Sequence, residues 1–137
     1  MKRTFTRSLA LVLVLCFLLS TVAFASVDSS AYIAIMSAYI TFSGNDVEVN
    51  FSVVGRHIMD EIGVSEILLF EQNGNKWTRV YTFEADDPSY TADMLSYNTS
   101  AKADYVTYSG DSTKNYYAIL YFYAADANGS DTIQYIT

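Results

Sequence analysis

The chain of 137 residues contains one cysteine, one proline, one histidine and one tryptophan. Most of these scarcities close off a class of chemistry. Cys16, the only thiol, sits inside an apolar run near the N-terminus, so the chain has no pair for a disulfide framework and no thiolate set for zinc. His57, the only imidazole, is the sole residue able to act as base in a Ser-His-Asp arrangement, and no second histidine exists to share a zinc ion. Cations are few as well. Eight Lys and Arg stand against fifteen Asp and Glu, for a formal net charge of −7. Nucleic acids and anionic membranes call for clusters of Lys and Arg, and this balance disfavours both as partners. No segment carries a helical period long enough for a substantial helix, and neither an internal repeat nor a low-complexity tract is present.

The N-terminus has a pattern of its own. Lys2, Arg3 and Arg7 precede the unbroken apolar run Leu9–Leu19, which is followed by a polar step and the small residues Ala23 and Ala25. A basic start, a short apolar middle and a small-residue exit predict a secretory signal peptide, residues 1–25, cleaved after Ala25. The run falls short of the roughly 20 apolar residues that span a bilayer. Cys16 would leave with it. The remainder would keep five basic and fifteen acidic residues. It is expected to be secreted, extracellular or associated with the cell surface, and held together by packing alone, as one domain.

What is abundant is aromatic: twelve tyrosines and eight phenylalanines. Tyr116–Ala125 has no charge, glycine or proline and reads as a central strand. Its alternation puts Tyr116, Ala118, Leu120, Phe122 and Ala124 on a core face, and Tyr117, Ile119, Tyr121 and Tyr123 on the other. Upstream, residues 26–37 read as a lead-in. The second half of Ala31–Phe42 forms a first strand, Ser43–Asp46 a turn, and Val47–Val53 a half-buried strand closed by Gly55. Met59–Gly63 fits one helical turn. Ile67–Phe70 and Trp77–Phe83 pair as a hairpin around Gln72–Lys76. Glu84–Ser89 is an acidic loop around Pro88. Thr91–Lys102 is polar, anchored only by Met94 and Leu95. Tyr105–Tyr108, a turn at Ser109–Lys114 and a last strand at Ile133–Ile136 complete residues 38–137 as an all-β antiparallel sandwich of about seven strands.

Tyr116, Ala118, Leu120 and Phe122, followed by Ala124, Gly129 and a closing strand, resemble the last two strands of an immunoglobulin-like or fibronectin type III-like domain. The resemblance implies that Tyr116 is a corner tyrosine whose hydroxyl bonds back to the chain upstream. Without a disulfide pair, and with Trp77 opening the fourth strand, the antibody-type version does not apply. The chain also resembles an uncharacterised group of small, signal-bearing bacterial proteins, through Met59–Gly63, Trp77–Phe83, Val106–Gly110, Tyr116 and Phe122–Ala124. That likeness implies fold and export, with no assigned activity.

Four sets of residues invite chemistry. His57, with Arg56 beside it and Asp60 three residues on, is the only acid–base candidate of its kind. Asp60 with Glu61, Glu84 with Asp86 and Asp87, and Asp93 supply carboxylates of the type that glycoside hydrolysis uses in facing pairs. Asp126, Asn128 and Asp131 echo an oxygen-ligand calcium loop, although a hairpin turn favours the same residues. Trp77, Tyr81 and Phe83 on one strand, and Tyr117, Tyr121 and Tyr123 on another, alternate as two aromatic rows that either cover each other or form an exposed platform. The Asn-x-Ser/Thr triplets at Asn50, Asn98 and Asn128 carry no weight in a bacterial chain.

No catalytic residue, metal or cofactor is assigned. The expectation is a non-catalytic binding or structural module. Its candidates for binding are Trp77, Tyr81, Tyr117, Tyr121 and Tyr123, and its partner an extracellular protein or glycan. The alternatives are a small secreted hydrolase using carboxylates, and an effector that recognises another protein through a strand edge.

Overall fold

The computed structural model describes residues 30–88 and 93–137, so the expected signal peptide lies outside the described residues. The described residues are all-β, six antiparallel strands in one curled sheet: β1 Ile33–Ser43, β2 Asp46–Asn73, β3 Lys76–Glu84, β4 Leu95–Ser109, β5 Tyr116–Asp126 and β6 Gly129–Ile136.

The spine is β2, 28 residues long. Its first half pairs with β1 on one side and β4 on the other, and its second half with β5 and β3. β6 adds outside β5. Two strands and a helical turn expected from the sequence (Val47–Val53, Met59–Gly63 and Ile67–Phe70) are therefore one element, which is why there are six strands and not about seven. The reason lies in the partners. Glu61 pairs with Tyr97 and Ala125, and Gly63 with Leu95 and Tyr123, so the segment expected as a helical turn is hydrogen-bonded on both sides by chain far away in sequence.

Keeping one face buried along such a strand requires changes of phase. Val47, Val49, Phe51 and Val53 are buried, then Ile62 and Val64, then Ile67, Leu69 and Glu71. The registers break at Val54/Met59 against β4 and at Val64/Glu66 against β5. At the first break the four residues Gly55–Ile58 stand against Ser100 alone, and at the second Ser65 is the one extra residue; such bulges shift which side chains face inward and bend the strand. Gly55 leaves room for this, since a Cβ there would stand 3.0 Å from the Met59 side chain.

All buried apolar residues belong to one cluster, with Phe83, Phe122, Met59, Ile67 and Leu120 among the largest. Full burial of each contributes about 1.5–3 kcal/mol. Rings join the two halves of the sheet, Phe42 to Tyr116 at 6.0 Å and Tyr81 to Tyr108 at 5.7 Å. The hairpins at Gly44–Asn45 and Gly74–Asn75 place glycine first, at φ +63° and +61°, a geometry that follows the strand twist. β1 begins at Ile33, ahead of Ala38 and inside the expected lead-in. β4 takes in the polar stretch from Leu95 to Lys102 as well as Tyr105–Tyr108. Only Val106 of β4 is buried, so this strand sends out almost no hydrophobic signal.

Candidate functional site

The alternation expected for β5 holds. Ala118, Leu120, Phe122 and Ala124 are fully buried, while Tyr117, Ile119, Tyr121 and Tyr123 lie half-buried on the outer face. Cross-strand register adds Phe70 and Leu68 of β2 beside Tyr117 and Ile119, and Ile136 of β6 beside Ile119. Tyr117 is the centre of the aromatic group. Its ring stacks on Phe70 at 4.7 Å with an interplanar angle of 3°, and meets Trp77 edge-on at 4.8 Å. Such contacts contribute about 0.5–1.5 kcal/mol beyond area burial. Trp77 nevertheless keeps 44% of its surface exposed.

β3 does not present its aromatic residues on one face. The register passes from Leu69↔Tyr81 to Phe70↔Arg79, leaving Val80 as a bulge. Trp77 therefore stays with Tyr117 outside, while Tyr81 turns inward with Phe83, 4.7 Å away, and Tyr108. The row Trp77–Tyr81–Phe83 read from strict alternation is corrected here: one extra residue reverses the parity of everything before it.

Beyond Tyr121 the outer face turns acidic. Glu66 and Glu84 are directly opposite each other, and Glu66 also faces Tyr121. Next comes an open cavity of about 430 Å³ bounded by Glu61, Ser65, Asp86, Leu95, Tyr97 and Tyr123. Gly63, registered between Leu95 and Tyr123, allows the chain at Met94 to settle onto β2. A Cβ at that glycine would collide with the Met94 carbonyl oxygen, whereas the Val64 N–H now donates to it at 3.0 Å. The charge of Glu61 above all raises the Tyr97 phenol from its ordinary range; burial, a hydrogen bond to Glu61 and the charge of Asp93 add to this. The ion pairs among the described residues are His57–Asp126, Lys102–Asp104 and Lys114–Glu71. None neutralises Glu61, Glu66, Glu84 or Asp86.

The remaining candidates are engaged elsewhere. His57 Nε2 stands 2.7 Å from Asp126 Oδ2, so its partner is Asp126 at the end of β5 and not Asp60. Asp126 Oδ1 also accepts from the Asn128 N–H at 2.7 Å, and the bond to His57 is the main cause that lowers this carboxyl. Asp131 takes the Ser30 hydroxyl at 2.5 Å and the Ala31 N–H at 3.0 Å. Asp126 and Asp131 thus serve different contacts, and among the described residues no group of three or more His, Cys, Asp or Glu is placed to hold a metal ion.

The Tyr116 hydroxyl bonds back to the chain upstream. It accepts the Asp111 N–H at 2.9 Å and donates to buried Glu71 at 2.8 Å. Lys114 donates to the same carboxylate at 2.6 Å and Asn73 at 3.1 Å. The network ties the β4–β5 turn to the far end of β2 and is structural.

The acidic cavity was not readable as a unit, since its residues run from Glu61 to Tyr123 and Tyr97 lies in the polar stretch. The one available signal was Gly63, an isolated glycine within what proves to be a strand, which marks a close backbone approach. No family model matches the chain, and neither a curated protein nor a solved structure matches it significantly.

Proposed function

We propose that the protein is an exported, non-catalytic binding module, related in architecture to immunoglobulin-like and fibronectin type III-like sandwiches, that engages an extracellular protein through the outer face of β3, β2, β5 and β6. One observation carries this reading: Trp77, Tyr117, Phe70, Leu68 and Ile119 form a contiguous aromatic and aliphatic row on a sheet face with no element packed over it among the described residues. Rigid aromatic rings on a flat scaffold supply contact area at low entropic cost, and they dominate binding energy at protein interfaces. A protein is favoured over a glycan by charge, because the row passes directly into unneutralised carboxylates that a basic surface would complement. The corner bond of Tyr116 supports the architectural kinship, and the basic-then-apolar N-terminus supports export.

The test is an array of extracellular proteins and glycans probed with the wild-type chain and with the double variant W77A/Y117A. The expected result is binding to one or a few proteins that the variant loses by about tenfold or more. Silence from both, or equal binding by both, removes the reading.

A second reading has one observation in its favour. Glu61 and Asp86 border the same cavity, as a carboxylate-dependent hydrolase requires. Turnover of a chromogenic glycoside, abolished in E61Q and D86N, would establish it. A panel without turnover ends it.

A further inference from the structure

We infer that the cavity at the acidic end of the outer face is a binding site for a guanidinium group, the side chain of an arginine on the partner polypeptide. The inference rests on the reading above for the source of the arginine, and on the cavity itself for the chemistry.

The lining combines what a desolvated organic cation needs. Glu61 and Asp86 are the anionic groups, Tyr97 and Tyr123 bring aromatic rings, and Leu95 gives an apolar wall for an alkyl stem. An aromatic face and a carboxylate together offset the cost of taking a guanidinium out of water. The planar group stacks on a ring and forks onto a carboxylate as a rounded ammonium cannot. The volume of about 430 Å³ lies within the range of small-ligand sites and exceeds the need of one side chain.

A second, independent observation points the same way. Glu66 and Glu84 face each other across β2 and β3 on this surface, an arrangement that costs stability in a sheet. No ion pair relieves them, whereas Lys102 and Lys114 are committed to Asp104 and Glu71 elsewhere. Arg56 donates from Nε to the Ser30 carbonyl, away from the cavity. Of the basic residues of β3, Arg79 lies opposite Phe70 within the aromatic row, and Lys76, one residue before Trp77 and opposite Asn73, falls on the other face. The surface is thus polarised along its length. A local rule is broken where the described residues place no cation, and an incoming cation removes the conflict.

The experiment uses the isotope-labelled protein and two probes that differ only in charge: acetyl-arginine amide and its neutral isostere, acetyl-citrulline amide. Two-dimensional amide spectra are recorded along each titration. The arginine probe is expected to shift Ser65, Ala85, Leu95 and Tyr97, with a dissociation constant on the order of 1 mM that weakens as salt rises. The citrulline probe is expected to leave these signals in place. E61Q and D86N should each weaken arginine binding by about fivefold while the spectrum keeps its dispersion. Equal shifts from both probes, shifts scattered over other strands, or insensitivity to both variants would overturn the proposal, as would acetyl-lysine amide binding as tightly as arginine. The two claims fail separately. Arginine shifts with a silent array leave the cavity assigned and remove the proposed partner; array binding that depends on Trp77, without arginine shifts, does the reverse.

Discussion

The Tyr116 hydroxyl donates to the Glu71 carboxylate at 2.8 Å and receives the Asp111 N–H at 2.9 Å, so one phenol oxygen links the β4–β5 turn to the end of the longest strand. Replacing Tyr116 with Phe leaves the Asp111 N–H without its acceptor and Glu71 with only Lys114 and Asn73. The expected cost is about 1–2 kcal/mol, measured as a fall in the urea midpoint at unchanged slope. An unchanged midpoint would show that the corner bond contributes nothing.

The same carboxylate sets a pH dependence. The hydrogen bond from Lys114, first, and that from Tyr116 hold Glu71 below its ordinary value of 4.5. A carboxyl depressed in the fold contributes stability that is present above its unfolded pKa and is lost as pH falls through the folded value. Asp126 and Asp111 are lowered as well, chiefly by hydrogen bonds with His57 and Thr113. Lys114 is raised above 10.5, chiefly by its bond to Glu71, so its share persists below that value and is lost above it. Melting temperature should therefore hold level through neutral pH and fall below about pH 4.5. E71Q should flatten part of that acid limb; an identical limb in the variant would exclude Glu71 as its source.

Two glycines offer a controlled contrast. Gly44 turns a hairpin at φ +63° with nothing within 4 Å of a built Cβ, so G44A carries only the left-handed backbone cost, about 1 kcal/mol. At Gly63 a methyl group would run into the Met94 backbone, and G63A should cost about 3 kcal/mol or more. Thermal or urea unfolding of both variants decides the matter. Equal costs would contradict the close approach of β4 to β2.

The bulge at Val80 separates Trp77 from Tyr81. Deleting Val80 removes the extra residue, so that Leu69↔Tyr81 follows directly on Phe70↔Arg79 and both rings keep the faces they have. Trp77 is the only tryptophan, so its fluorescence reports the outcome. The deletion should leave the emission maximum in place and change stability by no more than about 1–3 kcal/mol. A shifted emission maximum would contradict Val80 as the extra residue at this bulge.

Much of the fold was legible. Val47–Val53 alternate cleanly, and Ala118–Ala124 carry a core face whose buried members are the expected ones. The Gly-Asn turns at Gly44 and Gly74 mark their hairpins with residues suited to a left-handed first position. A bond from the Tyr116 hydroxyl back to the chain upstream was implied by the likeness to immunoglobulin-like domains, and the Asp111 N–H supplies it. Failures came wherever the period of two is interrupted. Met59–Gly63 looks like a helical turn because a phase shift within a strand imitates a change of period. Strict counting put Trp77 beside Tyr81 for the same reason.

The local order of residues alone determined that this chain is β-rich, acidic and aromatic, where its tight turns fall and which side of β5 is apolar, because these depend on near neighbours and on a side chain's preference for water or core. Only the tertiary structure decided that β2 runs unbroken through four partners, that Val80 turns two aromatic residues apart, and that Glu61, Asp86, Tyr97 and Tyr123 meet around one cavity. Those outcomes depend on pairing between segments tens of residues apart, and a bulge reverses facing without changing composition.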